Sequence, residues 1–154
     1  MPKSQMCLLL LAHVVGASAG TTEQTCKSSI DTHVTIVPYF TVPEGKMDAF
    51  KAGFMDFYKH TKEGTFASGD ALYYGFAQEG NTIFCREGYK SADGVLAHLG
   101  EVKAELDKAV SIVGPGGLKL SVMGPAAELD KLKEALGPLG TKFYALDGGA
   151  MSKM

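Results

Sequence analysis

Phe84-Cys85-Arg86-Glu87-Gly88-Tyr89-Lys90-Ser91-Ala92-Asp93-Gly94-Val95-Leu96-Ala97-His98-Leu99 decides how this chain of 154 residues is read. Its first half is a strand whose end carries charged and aromatic side chains. Ser91 then offers a hydroxyl to cap a helix, and Asp93 sits in the first turn, where the helix dipole favours negative charge. Val95 and Leu99 open an apolar stripe at helical spacing. Val102, Leu106 and Ala109 continue it, until Gly114-Pro115-Gly116-Gly117 breaks the pattern. His98 lies roughly 60° from Val95 on the helical wheel, at the margin of that stripe. One strand-turn-helix unit therefore gathers the only arginine, Arg86, with Glu87, Tyr89 and His98.

Working outward, residues 71–78 (ALYYGFAQ) form a second strand joined to residues 82–90 by Glu79-Gly80-Asn81. So short and turn-prone a loop predicts an antiparallel hairpin. Residues 32–40 (THVTIVPYF) are rich in β-branched and aromatic side chains and read as the first strand, with Pro38 expected to put its end at a sheet edge. Pro43-Glu44-Gly45 opens a helix whose buried stripe is Met47, Phe50, Phe54, Phe57 and Thr61; Gly64 stops it. Downstream come a strand at 118–123, a short helix from Pro125 with Leu129, Leu132 and Leu136 on one face, and a last strand at 141–146. The order is β-α-β-β-α-β with a C-terminal α-β extension. That order predicts an α+β fold: a ferredoxin-like antiparallel sheet with helices on one face.

The strands say something about the other face. His33, Thr35, Val37 and Tyr39 oppose Val34, Ile36 and Phe40, while Tyr73 and Ala77 oppose Leu72, Tyr74 and Phe76. A sheet with one wet face alternates apolar and polar residues, and neither set here is strongly polar. A second copy of the same sheet is the simplest cover, which predicts a two-fold homodimer.

Residues 1–19 read as a signal peptide, with Lys3 before an apolar run at 7–15 and Ala17-Ser18-Ala19 as a cleavage pattern. The run falls short of the roughly 20 apolar residues that span a bilayer. The expectation is a secreted or organelle-targeted protein with no membrane anchor after processing. Residues 20–30 read as a linker and 31–154 as the folded domain. A net charge of −2 with scattered lysines argues against a nucleic-acid partner. Cys26 and Cys85 are expected unpaired, Cys85 as a small buried side chain, and no cysteine spacing predicts a structural metal.

With these elements placed, residues 31–123 resemble the antibiotic-biosynthesis monooxygenase family of dimeric α/β barrels, the group that includes small quinol monooxygenases. The carriers are Pro43-Glu44-Gly45, Thr61-Lys62-Glu63-Gly64, and the Glu87-x-Tyr89 strand end followed by the helix bearing His98. Residues 125–146 resemble an addition found in some members. The resemblance implies oxidation of a small phenolic or quinol-type aromatic by O2, with no metal, flavin or other cofactor. Such chemistry needs a base for a phenolic proton, a donor for the developing oxyanion, and an apolar pocket for the ring. His98 is the candidate base. Arg86 or a tyrosine among Tyr58, Tyr73 and Tyr74 is the candidate donor, Arg86 and Tyr74 foremost. Phe50, Phe54, Phe57, Tyr58 and Phe76 are the candidate lining. Glu87 and Tyr89 lie on the strand face opposite Arg86 and are expected to be structural, securing the helix start or the dimer. The lack of tryptophan, and a sole asparagine (Asn81) in a hairpin loop, argue against haem degradation. Two other readings stay open: a non-catalytic dimeric ligand-binding or stress-type protein, and a polyketide-cyclase-like enzyme using His98 and a tyrosine as acid and base.

Overall fold

A computed structural model describes residues 32–147, so the leader, the linker and Cys26 lie outside the described residues. Strands β1 (Val34–Thr41), β2 (Ala71–Glu79), β3 (Thr82–Tyr89), β4 (Leu118–Gly124) and β5 (Lys142–Ala145) form one sheet in the order β2-β3-β1-β4-β5. The first four strands run antiparallel in the ferredoxin-like order, as the sequence predicts. β5 is parallel to β4, so the sheet is mixed rather than wholly antiparallel. The helix between those strands, α6 (Ala126–Leu136), supplies the crossover that a parallel pair requires. Among the described residues no helix is long and apolar enough to cross a membrane.

Pro38 corrects one expectation. It sits in the central strand, not at an edge. β1 pairs with β3 at Ile36–Glu87 and again at Tyr39–Phe84, and the ladder skips Val37 and Pro38 between them. On the other side Pro38 pairs normally with Leu120. The missing N–H is thus accommodated as a local gap beside Cys85 and Arg86.

The helices are more broken than their stripes suggest. The first is three pieces: α1 (Met47–Lys51), α2 (Phe54–Glu63) and α3 (Thr65–Ser68). The Gly53 N–H bonds to the Phe50 carbonyl at 3.3 Å, a tightened turn, and Gly64 leaves helical geometry at φ −100° and ψ −101°. The second divides at Val102 into α4 (Ala92–Glu101) and α5 (Lys103–Val113). The bond from Val102 N–H to the His98 carbonyl survives the bend, so the apolar stripe stays in phase. Ser91 occupies the cap position of α4, but its hydroxyl makes no capping bond. Glu128 from α6 does that work, accepting the Ala92 N–H at 2.9 Å.

All helices lie on the sheet face that carries Ile36, Phe40, Ile83, Cys85, Tyr89 and Leu120. The core falls into two clusters. One holds Val34, Ile36, Tyr89, Val95, Leu120, Leu132 and Leu136, and the other holds Phe40, Phe50, Phe57, Ile83 and Val102. The opposite face of the sheet carries Thr35, Tyr39, Tyr73, Phe84 and Arg86, none of them buried.

Candidate active site

A narrow cavity of about 50 Å³ lies between the two clusters. Its walls are mostly aliphatic and aromatic: Ile36 and Phe40 from β1, Leu118 and Leu120 from β4, Phe57, and Leu136 with Leu139 at the end of α6. Polar groups enter at one end only. β3 turns alternate residues toward the helices, so Cys85, Glu87 and Tyr89 share the inner face, and α4 brings His98 down onto them. His98 Nε2 lies 3.4 Å from Glu87 Oε2. The Tyr89 hydroxyl donates a short hydrogen bond to the same Glu87 oxygen. The rings of Tyr74 and Tyr89 flank the imidazole at centroid distances of 5.2 and 5.4 Å.

Burial sets the charge of this group. Glu87 is 5% exposed and His98 4%. Desolvation raises the Glu87 carboxyl to about 7, against the opposing pull of the Tyr89 hydrogen bond. Desolvation also lowers His98, to about 4. A proton shared by the pair therefore rests on the carboxyl, and both groups are neutral between about pH 4 and pH 7. Burial pushes the Tyr74 and Tyr89 hydroxyls and the Cys85 thiol well up, with the Glu87 charge adding to each. Tyr74 and Tyr89 are accordingly hydrogen-bond donors rather than phenolates.

The predicted residues separate cleanly. His98, Phe57 and Phe76 line the cavity. Tyr74 packs beside His98 on its inner side. Phe54 stands behind Phe76, stacked on it at 4.2 Å. Phe50 packs on Phe40 and lines a different groove, between α1–α2 and α5. Tyr58 stays on the surface and accepts the Phe76 N–H at 3.3 Å. Arg86 is not in the cavity, because strand alternation turns it to the open sheet face. There its guanidinium lies 4.5 Å from the Tyr73 ring centroid, and the Tyr73 hydroxyl bonds Thr35 at 2.9 Å. Arg86 and Tyr73 thus stand apart from this cavity, in a shallow hollow on the open sheet face.

Glu87, which the sequence reads as structural, lines the cavity, and Tyr89, read the same way, stands behind Glu87, buried in the core and bonded to it. The start of α4 is held by Glu128. The signal was present in the sequence: counting by two from the buried Cys85 reaches Glu87 and Tyr89. Sequence reasoning missed Glu101, whose Oε2 is 3.7 Å from His98 Nδ1. Among the described residues no three His, Cys, Asp or Glu side chains converge as a metal site would require.

No family model matches the sequence, and no curated protein matches it. Solved structures do match. MupZ from Pseudomonas fluorescens is 32% identical over 79% of this chain and 95% of its own, with a TM-score of 0.67. The chain belongs to the same family as MupZ. Two further structures share the fold at lower identity, both assigned as antibiotic biosynthesis monooxygenases. The one from Caulobacter crescentus CB15 is 19% identical over 63% of this chain and 92% of its own, with a TM-score of 0.53. The one from Nitrosomonas europaea is 18% identical over 62% and 92%, with a TM-score of 0.51. This MupZ relative thus has the antibiotic-biosynthesis-monooxygenase fold that the Glu87-x-Tyr89 and His98 pattern implied. The match to MupZ, at 79% of the chain, exceeds the 63% and 62% of the other two.

Proposed function

We propose that this protein is an enzyme that works by general acid–base catalysis on a small apolar molecule, and that its reaction is cofactor-independent oxidation of a phenolic or quinol-type compound by O2. One observation carries the reading: a buried carboxyl, Glu87, held between Tyr89 and a neutral His98 at the polar end of an otherwise apolar cavity. A carboxyl titrating near 7 is matched to proton transfer at neutral pH. In the ionised form Glu87, assisted by His98, takes the phenolic proton. The electron-rich anion that remains is what reacts with O2. Tyr74, kept protonated by burial, is a donor to the developing oxyanion, and Phe57 and Phe76 offer the ring its contacts. At about 50 Å³ the cavity must widen to take a ring, and half-exposed Leu139 is the wall best able to yield.

The orientation of Arg86 favours a second reading. With no cation at the cavity, a neutral Glu87 and Tyr89 suit acid–base ring closure or isomerisation of a polyketide-type ligand as well as they suit oxidation. Oxygen uptake with a panel of hydroquinones, wild type against Glu87→Gln and His98→Ala, separates the two. The oxidation reading expects uptake by wild type and its loss in Glu87→Gln. Turnover of a ligand without uptake supports the cyclase reading, and uptake unchanged in Glu87→Gln overturns both assignments of Glu87.

The open sheet face supports a homodimer as part of the same proposal. Tyr39 against Phe84 and Tyr73 under Arg86 make it a patch of half-exposed aromatics, suited to pairing with its own copy.

A further inference from the structure

His98 has two ring nitrogens, and a carboxylate stands off each. Glu87 faces Nε2 from the sheet, and Glu101, one turn along α4, faces Nδ1. Nδ1 is buried and makes no hydrogen bond in the resting structure. A buried ring nitrogen left unpaired is costly, and catalytic contacts are often long before substrate binds. Glu101 differs from Glu87 in one decisive respect: it is about a quarter exposed, so it touches both His98 and solvent.

The corner between α2 and α3 is shaped around that carboxylate. The Thr65 hydroxyl donates to Glu101 Oε2 at 3.2 Å. At Gly64 any added Cβ would collide with the Glu101 carboxylate, so the missing side chain is the space that the carboxylate fills. The titratable groups facing His98 are few. β2 contributes Tyr74, β3 contributes Cys85, Glu87 and Tyr89, and α4 contributes Glu101 itself. From β1, α2, α5 and the end of α6 the cavity wall carries no titratable group, only Ile36, Pro38, Phe57, Leu106, Leu136 and Leu139.

We propose that Glu101 is a positioning residue and the proton outlet of this site: it holds His98 with the proton on Nδ1 and links the buried Glu87–His98 pair to solvent. The inference rests on the acid–base reading above. A proton taken from substrate by Glu87 passes to His98 Nε2 as the Nδ1 proton leaves to Glu101 and on to water. The reverse transfer brings the proton back to the cavity, where the reduced oxygen leaves as water, and restores the Nδ1–H form for the next turn. Gly64 and Thr65 matter because they keep the Glu101 carboxylate within reach of Nδ1.

Nitrogen-15 NMR of histidine-labelled protein tests this without a substrate. In wild type the His98 shifts should report the Nδ1–H form. Glu101→Gln keeps an acceptor oxygen but cannot carry a proton. It should therefore retain that form while exchange of the ring N–H with solvent slows by about tenfold or more. Glu101→Ala should also lose the tautomer preference, and acetate in the buffer should restore its exchange. Thr65→Val, which frees the carboxylate without removing it, should give an intermediate rate. Exchange and tautomer unchanged in both Glu101 variants would overturn the proposal. The arms are separable: loss of turnover in Glu87→Gln with unchanged His98 signals in the Glu101 variants sinks the outlet alone. Unchanged turnover in Glu87→Gln sinks the acid–base reading alone, with the NMR result still deciding Glu101.

Discussion

Glu87 and His98 share one proton, and burial decides which of them carries it. Their titrations push folding stability in opposite directions. The folded Glu87 carboxyl, raised to about 7, contributes stability at low pH that is lost as pH rises toward that value. The folded His98, lowered to about 4, contributes stability at high pH that is lost as pH falls toward that value. Over the range from pH 4.5 to 6.5 the two slopes oppose, so the wild-type urea stability should be nearly flat. Glu87→Gln removes one slope, and its stability should climb with pH across the same range. A parallel, flat profile in that variant would mean that His98 is charged inside the fold. Arg86 gives a contrasting expectation. Its stacking on Tyr73 is worth about 0.5–1 kcal/mol at such an exposed site, so Arg86→Ala should cost little stability and leave kcat unchanged. A large loss of kcat with the dimer intact would return Arg86 to the site.

At the scale of elements, α4 is held by a neighbour rather than by its own cap. The Ala92 N–H and Lys131 hold the Glu128 carboxyl below the usual carboxylate range, which marks the bond as charge-assisted. Glu128→Ala should cost about 1 kcal/mol or more, and Ser91→Ala close to nothing, by chemical denaturation. Equal costs would contradict the assignment. Gly53, at φ −80° with only ordinary contact space around its missing Cβ, invites the opposite change. Gly53→Ala should stabilise by about 0.4–1 kcal/mol through the unfolded chain. These local features also mark where sequence was readable. Alternation along residues 84–89 correctly turned Arg86 away from Glu87, whereas the 91–109 periodicity put His98 only at the margin of the stripe and left its partner open. What period and propensity do not encode is partnership across the fold. Glu128 lies far along the chain from Ala92, Pro38 finds its gap only between two partner strands, and the corner of Gly64 and Thr65 that packs on Glu101 comes from a different helix. Glu87 was legible as inward-facing, but its role depends on the desolvation that packing imposes.

At the scale of the whole molecule, the C-terminal extension completes the core and closes the cavity. Leu132 is fully buried, and Leu136 belongs to both the core and the cavity wall. Leu132→Ala should lose about 2–5 kcal/mol of stability, measured by urea unfolding; a loss under about 1 kcal/mol would make the extension an appendage. The sheet's open face predicts a dimer mass by sedimentation at micromolar concentration, and a monomer there would refute the pairing. The central claim, however, is the protonated carboxyl beside a neutral imidazole. Infrared difference spectroscopy across a pH series reads it directly, because a buried carboxylic acid absorbs apart from carboxylates. A protonated-carboxyl band should be present at pH 6, where ordinary carboxyls are ionised, disappear as pH passes about 7, and be missing at pH 6 in Glu87→Gln. No such band at pH 5, together with a protonated His98, would contradict it.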